Sequence, residues 1–440
     1  MGTDEVLDTR RPRREFLLRG GAGLSAIAVS SSAVELGLNV ENWTGRAFAA
    51  DESKPREKLP VAAVVTVYHK DSHADVIVGK ILQGWRQDGG RGPDLKLASL
   101  YVDQLPVSDL SRSLAEKNGF RIAPNIDDAL TFGTNRLQVA GVLSIGEHGD
   151  YPRTPDTQQK TYPRKRFFDE IIAAFQKCNQ VVPVFNDKHL SYRWQDARSM
   201  VDKAHRLKIP FLAGSSLPVT WRMPPLELPK SCEIESALTI GYGGMEDYGF
   251  HAIEAHQAMI ERRKGSETGV VAVQALTGDA IRTAESDGRW SSELFAFARH
   301  QMPGQPVDTA AWKPKSNSAV FLLEHSDGLQ SAIIMANGLS GHFASAFKLK
   351  GQSEPAATWF QLEEGPPFGH FAYLLKAIEE SIHASKAVYP VERTLLTTGI
   401  LDRAMQSLAT NGARIETPEL RVQYDAADWP YANHSHSKRL

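Results

Sequence analysis

The stretch VAAVVTV at residues 61–67 is a short apolar run without a charged residue. Runs of this kind are typical of strands that are buried on both faces, as in a parallel sheet covered by helices. The next apolar residues, Ile77, Ile81 and Trp85, are spaced as on one face of a helix, and LASLYV at 97–102 is a second apolar run. The order strand, helix, strand predicts a βαβ unit at the start of a doubly wound sheet.

The same alternation continues to about residue 216. Helices are predicted at 110–118, 167–175 and 194–207, and strands are predicted near 121–123 and at 139–145, 181–185 and 210–213. Repeated βα units with apolar strands indicate the α/β class. We therefore predict that residues 59–216 form a Rossmann-like domain of the nucleotide-binding type.

The pattern changes after residue 217. Strand-like segments at 319–324, 330–336, 344–350 and 357–362 are separated by turns, and long helices are predicted at 373–383 and 391–409. Strands joined by short turns are typical of antiparallel sheets. We predict a second, α+β domain at 217–425 with an open, mainly antiparallel sheet, followed by a disordered tail at 426–440.

The first fifty residues have the three parts of an export signal. The pair Arg13-Arg14 precedes Phe16-Leu17, the stretch GGAGLSAIAV at 20–29 is small and apolar, and AFA at 47–49 is a cleavage-site pattern. Paired arginines are typical of the twin-arginine (Tat) route. We predict a Tat signal peptide at 1–49, a linker at 50–58 and a periplasmic or secreted location. The apolar run is too short for a membrane span, so none is expected.

The charges of the chain nearly cancel, with 50 Lys and Arg against 52 Asp and Glu. Binding to nucleic acid requires a basic excess or a basic face, so nucleic acid is not expected as the main partner. The two cysteines, Cys178 and Cys232, are too few for a disulfide framework. The two cysteines could form one disulfide, but we expect two reduced core thiols.

Polar and titratable residues follow the predicted strands of the first domain. They are His69 and His73 after the first strand, Asp103 after the second, Glu147 and His148 after the fourth, and Asp187, Lys188 and His189 after the fifth. Ligands of open parallel sheets bind outside the carboxyl ends of the strands. The sequence therefore predicts one shared site at this edge.

A second cluster lies in GGMEDYGFHAIE at residues 243–254. Asp247, His251 and Glu254 stand at positions i, i+4 and i+7, so they share one face of a helix that begins near Asp247. The helix dipole favours acidic residues at a helix start, which accounts for Asp247. It leaves His251 unexplained.

Two motifs resemble those of the oxidoreductase family of glucose–fructose oxidoreductase, inositol dehydrogenase and MocA type (Gfo/Idh/MocA). Asp187-Lys188-His189 stands where that family has Glu-Lys-Pro after its fifth strand. The segment from Gly243 to Glu254 is similar to the family's Gly-Gly-Gly…Asp-x-Gly-x-His-x-x-Asp motif, with Glu254 in place of the last aspartate. The resemblance spans most of residues 59–425 and implies a nucleotide-binding domain followed by an open antiparallel sheet.

The resemblance implies a mechanism and a substrate class. Lys188 would polarise or protonate the substrate oxygen, His251 would be the general base, and Asp247 would hold or tune His251. The implied substrates are sugars, inositols and related polyols. Family members often pair through the open sheet face, so a homo-oligomer is expected.

The resemblance also implies a tightly held NAD or NADP. Asp103 matches the acid that binds the ribose hydroxyls of NAD. The further candidates for cofactor binding are the polar residues at the ends of the other strands, namely His69, Glu147, His148 and Asp187.

One departure from the family pattern leaves two alternatives open. The turn YHKDSH at 68–73 has no glycine, whereas a G-x-G-x-x-G turn brings the backbone to the diphosphate of a dinucleotide. In the first alternative, a divalent metal replaces the nicotinamide in a lyase, hydratase or epimerase that acts on an oxidised sugar. Its ligands would come from His69, Asp71, His73, Glu147, His148, Asp150, Asp187 and His189. The second alternative is a non-catalytic sugar-binding protein.

Overall fold

The computed structural model describes residues 56–363 and 365–434. Its first sheet has six parallel strands in the order 3-2-1-4-5-6. The strands are β1 (Leu59–Val65), β2 (Leu95–Val102), β3 (Arg121–Ile122), β4 (Gly141–Ile145), β5 (Val184–Asp187) and β6 (Phe211–Gly214). This strand order is that of a Rossmann-type doubly wound sheet, so the predicted α/β class is confirmed.

Five helices accompany this sheet. They are α1 (His73–Gln83), α2 (Ser111–Asn118), α3 (Ile126–Thr131), α4 (Arg164–Cys178) and α5 (Trp194–Arg206). Helix α1 packs on one face, while α4 and α5 pack on the other with apolar stripes such as Phe167, Phe168 and Ile171. Strand β5 begins after Pro183, which has no N–H for the ladder, and so it is shorter at its start than the predicted 181–185.

The second sheet has eight strands in the order 14-9-10-11-8-12-13-7. They are β7 (Trp221–Met223), β8 (Ile234–Gly241), β9 (Val270–Thr277), β10 (Ala319–His325), β11 (Gln330–Met335), β12 (Phe343–Leu349), β13 (Ala356–Gln361) and β14 (Ile415–Glu416). The four predicted strands are β10 to β13. The pair β8 and β11 is parallel and the other pairs are antiparallel, so the sheet is mixed and mainly antiparallel.

Five further helices lie between the strands of the second sheet in the described part of the chain. They are α6 (Asp247–Ile260), α7 (Ala280–Ser286), α8 (Ser292–Gln301), α9 (Gly369–His383) and α10 (Glu392–Ala409). Helices α6 and α10 pack on one face of the second sheet, and α7 and α8, which the sequence analysis did not predict, pack on the other. Helix α9 returns to the first sheet, where Leu374, Ile378 and Ile382 join the core of β1 and β4. The segments 59–216 and 217–425 therefore share apolar cores.

Parts of both ends of the chain lie outside the described residues. The predicted signal peptide at 1–49 and most of the linker at 50–58 are outside the described residues. The predicted disordered tail differs from the structure as far as residue 434, because Tyr431 is buried under the Arg222 guanidinium at 4.0 Å and Asn433 bonds to the Arg222 backbone. Of the helices that the structure describes, none is long and apolar enough to cross a membrane.

Candidate active site

Lys188 follows β5 directly at the carboxyl edge of the first sheet. Its φ is +66°, in the left-handed region that residues other than glycine seldom adopt. Its backbone N–H donates to Gly214 O at 3.0 Å, which ties the residue to the end of β6. The chain thus turns sharply at the end of β5, and the Lys188 side chain extends from this turn toward helix α6.

The side chain of Lys188 reaches helix α6. Its Nζ donates to Asp247 O at 3.0 Å and lies 2.9 Å from His251 Nε2. Glu147 Oε1 lies 3.8 Å from the same Nζ. Lys188 is 2% exposed, so these contacts are made away from bulk water. The fold thus joins the lysine at the end of β5 and the histidine of the second motif in one centre.

His251 lies near the start of α6 and is half-buried. Burial, followed by the positive charge of Lys188 and by neighbouring histidines, holds the pKa of His251 well below its usual range. The imidazole is therefore neutral at neutral pH and can accept a proton. Tyr248, whose ring centroid is 6.0 Å from that of His251, is 40% exposed and marks the side that faces solvent.

The other ring nitrogen of His251 contacts Ser215, a residue that the sequence analysis missed. Nδ1 lies 3.0 Å from Ser215 Oγ, and Ser215 Oγ donates to Glu254 Oε2. The rule that selects residues at the carboxyl ends of parallel strands also selects Ser215, because it follows β6 directly. The signal was therefore present in the sequence.

Asp247 contributes its backbone to this centre. Its carbonyl accepts from Lys188, while its Oδ1 is buried without a hydrogen-bond partner in the described residues. The hydrogen bond that orients His251 comes from Ser215. The resemblance implied that Asp247 holds or tunes His251; in the structure Ser215 contacts the ring, and the Asp247 carbonyl accepts from Lys188.

A buried ion pair lies beside Lys188. Arg164 Nη2 donates to Glu147 Oε2, and Arg164 Nη1 lies 2.9 Å from His189 Nε2. Burial by itself would raise the pKa of Glu147, but Lys188 and Arg164 outweigh burial and lower the pKa to about 2. Glu147 is thus a constant negative charge near the lysine. Burial also holds the pKa of His189 well below its usual range, so its ring is neutral.

Three histidines gather around the β1–α1 turn. His73 Nδ1 lies 2.6 Å from Asp187 Oδ2. The ring centroid of His148 is 5.2 Å from that of His73 and 5.6 Å from that of His69. Burial, and then the charge of His73, lowers the pKa of His148 to about 4. His69, Glu147, His148 and Asp187 therefore meet at one edge, where the sequence analysis places them.

Asp103 has a separate set of contacts. Its carboxylate accepts from Tyr101 Oη at 2.8 Å and from Tyr151 Oη at 2.6 Å, and it pairs with Arg166. Burial tends to raise the pKa of Asp103, but these donors outweigh burial and lower it. The carboxylate is thus already bound by side chains of the chain itself.

Several buried polar atoms near this edge have no hydrogen-bond partner in the described residues. They include Tyr68 Oη, His148 Nε2, Asp187 Oδ1, His189 Nδ1, Asp247 Oδ1 and His370 Nδ1. Buried polar groups are nearly always satisfied, so such a concentration indicates a place where a polar ligand or water binds. The set mixes acceptor-only carboxylates with groups that can donate, which suits a ligand with several hydroxyl groups.

Two other features bear on where the site lies. No group of three or more His, Cys, Asp or Glu side chains in the described part of the chain is arranged to hold a metal ion. A cleft of about 400 Å³ lies at the opposite, amino edge of the first sheet, between residues such as Leu59, Pro183 and His383. This cleft has no acid–base pair comparable to Lys188 and His251. The candidate site is therefore the centre around those two side chains.

Comparison with known proteins supports the fold. No protein-family model and no curated protein matches the sequence. Among solved structures, GenD2 from gentamicin A biosynthesis, in complex with NAD, superposes with a TM-score of 0.52 at 15% identity, over 83% of this chain and 97% of that chain. A probable dehydrogenase from Thermotoga maritima has a TM-score of 0.51 at 13% identity, over 82% of this chain and 100% of its own.

A third similar structure is scyllo-inositol dehydrogenase from Lactobacillus casei, with a TM-score of 0.50 at 10% identity, over 82% of this chain and 99% of its own. At these identities the comparison establishes the fold. The chain therefore has the two-sheet fold found in these dehydrogenases, as the resemblance implies.

This fold binds a dinucleotide through the turn after β1 and the acid after β2. In this chain, Ser72 Oγ accepts from Asp75 N at 3.3 Å and the Asp71 N–H donates to Asp75 Oδ2 at 2.9 Å, so donors at the α1 start are occupied and two acids lie beside them. Tyr68 is fully buried in the same turn. With Asp103 also engaged, these residues do not fit a dinucleotide in the usual position.

Proposed function

We propose that this chain is an oxidoreductase-type enzyme that acts on a sugar or a related polyol, with Lys188 and His251 as its proton-transfer pair. The observation that carries the proposal is the 2.9 Å contact between Lys188 Nζ and His251 Nε2 at the carboxyl edge of the first sheet. A lysine amine and a neutral imidazole at this distance can bind one substrate oxygen and exchange its proton.

In this proposal, a substrate hydroxyl enters between Nζ and Nε2 and replaces their direct contact. His251 accepts the hydroxyl proton at Nε2, and Lys188 stabilises the negative charge that develops on the substrate oxygen. Glu147, which lies 3.8 Å from Nζ, balances the charge of Lys188 when no substrate oxygen is present. Oxidation also requires that the hydride on the carbinol carbon pass to a two-electron hydride acceptor. In the reverse direction that hydride returns to the carbonyl carbon, and the same pair returns a proton to the carbonyl oxygen.

Two observations support the substrate class. The unsatisfied polar atoms at this edge suit a ligand with several hydroxyl groups. Two of the three similar structures carry dehydrogenase names, and one of these is an inositol dehydrogenase. The acid–base pair favours an enzyme over a sugar-binding protein, and the described residues offer no ligand set for the metal-dependent alternative.

The hydride acceptor is a separate matter. NAD is bound in the similar GenD2 structure, which favours a nicotinamide cofactor for the fold. The glycine-free turn with Asp71 and Asp75, and the engaged Asp103, oppose that cofactor in this chain. The acid–base proposal rests on Lys188 and His251 and does not depend on which acceptor is used.

Activity assays on the mature full chain test the proposal. A panel of sugars and inositols is offered with NAD⁺, with NADP⁺ and with an electron-accepting dye, and oxidation is followed by acceptor reduction. Lys188→Met and His251→Asn should each lower kcat/KM at least about 100-fold, since each removes a proton-transfer partner. Lys177→Met and His300→Asn are matched controls at exposed positions and should leave it unchanged. Full activity of either site variant with an intact fold would refute the assignment.

We also propose that the chain is exported by the Tat route. The support is the Arg13-Arg14 pair with the apolar and small-residue segments that follow it. Arg13→Lys together with Arg14→Lys should retain the protein in the cytoplasm of a Tat-competent bacterial host, as measured by fractionation and immunoblotting. Export of the double variant at the normal rate would contradict the proposal.

A further inference from the structure

A chain of hydrogen bonds continues from His251 into the protein interior. His251 Nδ1 contacts Ser215 Oγ at 3.0 Å, and Ser215 Oγ contacts Glu254 Oε2. The Ser215 backbone N–H also donates to Glu254 Oε1 and Oε2 at 3.0 Å each. Glu254 is 1% exposed, so its carboxyl communicates with the site through Ser215 rather than through water.

We propose that Ser215 and Glu254 are positioning residues that set the tautomer of His251 and receive the proton that it displaces. The proposal rests on the proposed function of Lys188 and His251, and it adds two residues that do not touch the substrate. Its geometric basis is a continuous path of four groups from Lys188 Nζ to the Glu254 carboxyl.

The directions of these hydrogen bonds determine one another. Ser215 has one hydroxyl hydrogen, and when that hydrogen is donated to an ionised Glu254, Oγ can only accept from His251. Nδ1 then carries the ring proton, and Nε2 has a free lone pair toward Lys188. The Lys188 ammonium, which can only donate to Nε2, and an ionised Glu254, acting through Ser215, therefore favour the same tautomer of His251, the one that a base acting at Nε2 requires.

The proton balance of the relay is simple. The substrate hydroxyl gives its proton to His251 Nε2, and Nδ1 gives its proton to Ser215 Oγ. The original Ser215 hydrogen passes to Glu254 Oε2, so one proton has moved from the substrate to Glu254 and both His251 and Ser215 remain neutral. The return of the proton reverses each step.

The surroundings of Glu254 suit a carboxyl group that accepts and returns a proton. Burial raises the pKa of Glu254 to about 7, although the hydrogen bonds from Ser215 and the charges of Arg393 and Lys188 act in the opposite direction. Tyr389 is the other titratable group that faces it. The carboxyl can thus exist in both protonation states near neutral pH.

Charged and titratable groups also face His251 from several elements. They are Lys188, His73, His370 and His189. The ammonium of Lys188 is the fixed charge among them, and together with burial it disfavours a positive charge on the ring, which makes it costly to store the substrate proton on His251 itself. A neutral ring with the proton passed on to a carboxyl avoids that cost.

The local backbone shows that the carboxyl must approach closely. Gly214 precedes Ser215 with φ +120°, and a Cβ at this position would collide with Glu254 Oε1. Thr394 Oγ1 donates to Ala213 O on the neighbouring side and keeps the end of β6 in place. Glycine at 214 therefore gives Glu254 access to the Ser215 N–H and hydroxyl.

The test reads the tautomer of His251 directly, by ¹⁵N NMR of the full chain with labelled histidine and with the signal assigned through His251→Asn. At pH 8 the wild type should show a neutral ring with the proton on Nδ1. In a Lys188→Met background, which removes the donor at Nε2, Ser215→Ala and Glu254→Gln should lose that preference, while Glu379→Gln, which alters a buried glutamate on α9, should keep it. An unchanged tautomer in both site variants would overturn the proposal.

The Lys188→Met protein alone provides a second test, in case the double variants do not fold. Because protonation of Glu254 reverses the hydrogen bonds of Ser215, the Nδ1–H tautomer of this protein should decline as the pH falls from about 8 to about 6. A constant tautomer over this range would also overturn the relay. If turnover requires Lys188 and His251 but the tautomer does not respond, only the relay is refuted. If the tautomer responds but no substrate is turned over, only the proposed function is refuted.

Discussion

At the scale of single residues, the candidate site depends on charges that are buried in pairs. Arg164 and Glu147 have side chains that are 1% and 7% exposed, and Arg164 also contacts His189. Helix α4 offers a comparison in Arg166, which pairs with Asp103 but is 43% exposed. The two arginines are therefore expected to differ in how much their loss costs.

Arg164→Met should lower the free energy of unfolding by about 3–5 kcal/mol, because it leaves Glu147 buried without its main partner. Arg166→Met should cost about 1 kcal/mol or less, since solvent screens an exposed pair. Urea unfolding at pH 7, followed by circular dichroism, measures both. Equal losses of unfolding free energy would show that water screens the Arg164–Glu147 pair as much as the exposed Arg166–Asp103 pair.

At the scale of elements, the β1–α1 turn lies where a doubly wound sheet can bind a diphosphate, but its side chains do not suit that ligand. Helix α1 begins at His73 and is capped by Ser72, so the chain itself satisfies a donor that a diphosphate would otherwise use. Asp75 in the first turn also complements the helix dipole. The turn is thus built to stabilise the helix.

We predict that protein purified with its signal processed releases no stoichiometric NAD or NADP on denaturation, because the turn and Asp103 do not fit the diphosphate and ribose. Mass spectrometry of the released small molecules measures this. The dye-coupled assay should then show activity where NAD⁺ and NADP⁺ do not. One nucleotide per chain would show that another part of the edge binds the cofactor.

Helices α7 and α8 are a second element-scale feature. They cover a face of the second sheet, and Phe295 is 1% exposed between Trp290 and Trp312. Phe297 on the same helix is only half-buried. Substitutions at these two residues therefore distinguish the contribution of packing on the sheet from the contribution of helix propensity.

Phe295→Ala should cost about 3–5 kcal/mol of unfolding free energy, as expected for a buried aromatic side chain that leaves a cavity. Phe297→Ala carries the same change in helix propensity and should cost less, because less apolar area is lost. Denaturant titration of both variants gives the comparison. A larger loss at Phe297 would contradict the packing described for α8.

At the scale of the whole molecule, we expect buried neutral histidines to dominate the pH dependence of the free energy of unfolding. Burial, the first cause in each case, lowers the pKa of His148 to about 4, of His256 to about 3, of His325 to about 4 and of His370 to about 3. His189 and His251 are shifted in the same direction. Below pH 6.5 the unfolded chain therefore binds more protons at these sites than the folded chain.

The free energy of unfolding should thus fall as the pH drops below about 6.5, by up to about 1.4 kcal/mol per pH unit for each histidine. Glu254 and Glu246, whose pKa burial raises to about 7, act in the opposite direction between about pH 4.5 and 7, but they are fewer. Urea midpoints at pH 5, 6.5 and 8 test the sign. Equal stability at pH 5 and pH 8 would contradict it.

The pattern of apolar and polar residues along the chain was enough to predict the class of the fold and the sheet edge that carries the candidate site. Apolar runs such as 61–67 and helical stripes such as that of α4 record burial locally, so they predict elements and layers. Strands β8 and β9 were missed, since short runs that mix polar and apolar residues do not separate strand from helix. The edge followed from one rule, that parallel strands present their carboxyl ends together.

Which of those residues contact one another depends on the packing of the helices and sheets. The 2.9 Å contact of Lys188 with His251, the place of Ser215 behind it and the engagement of Asp103 by Tyr101, Tyr151 and Arg166 all join residues from different elements. Such contacts depend on how helices and sheets pack and on which donors are already satisfied. A local pattern records the burial of a residue, but it does not record the partner that the fold brings to it.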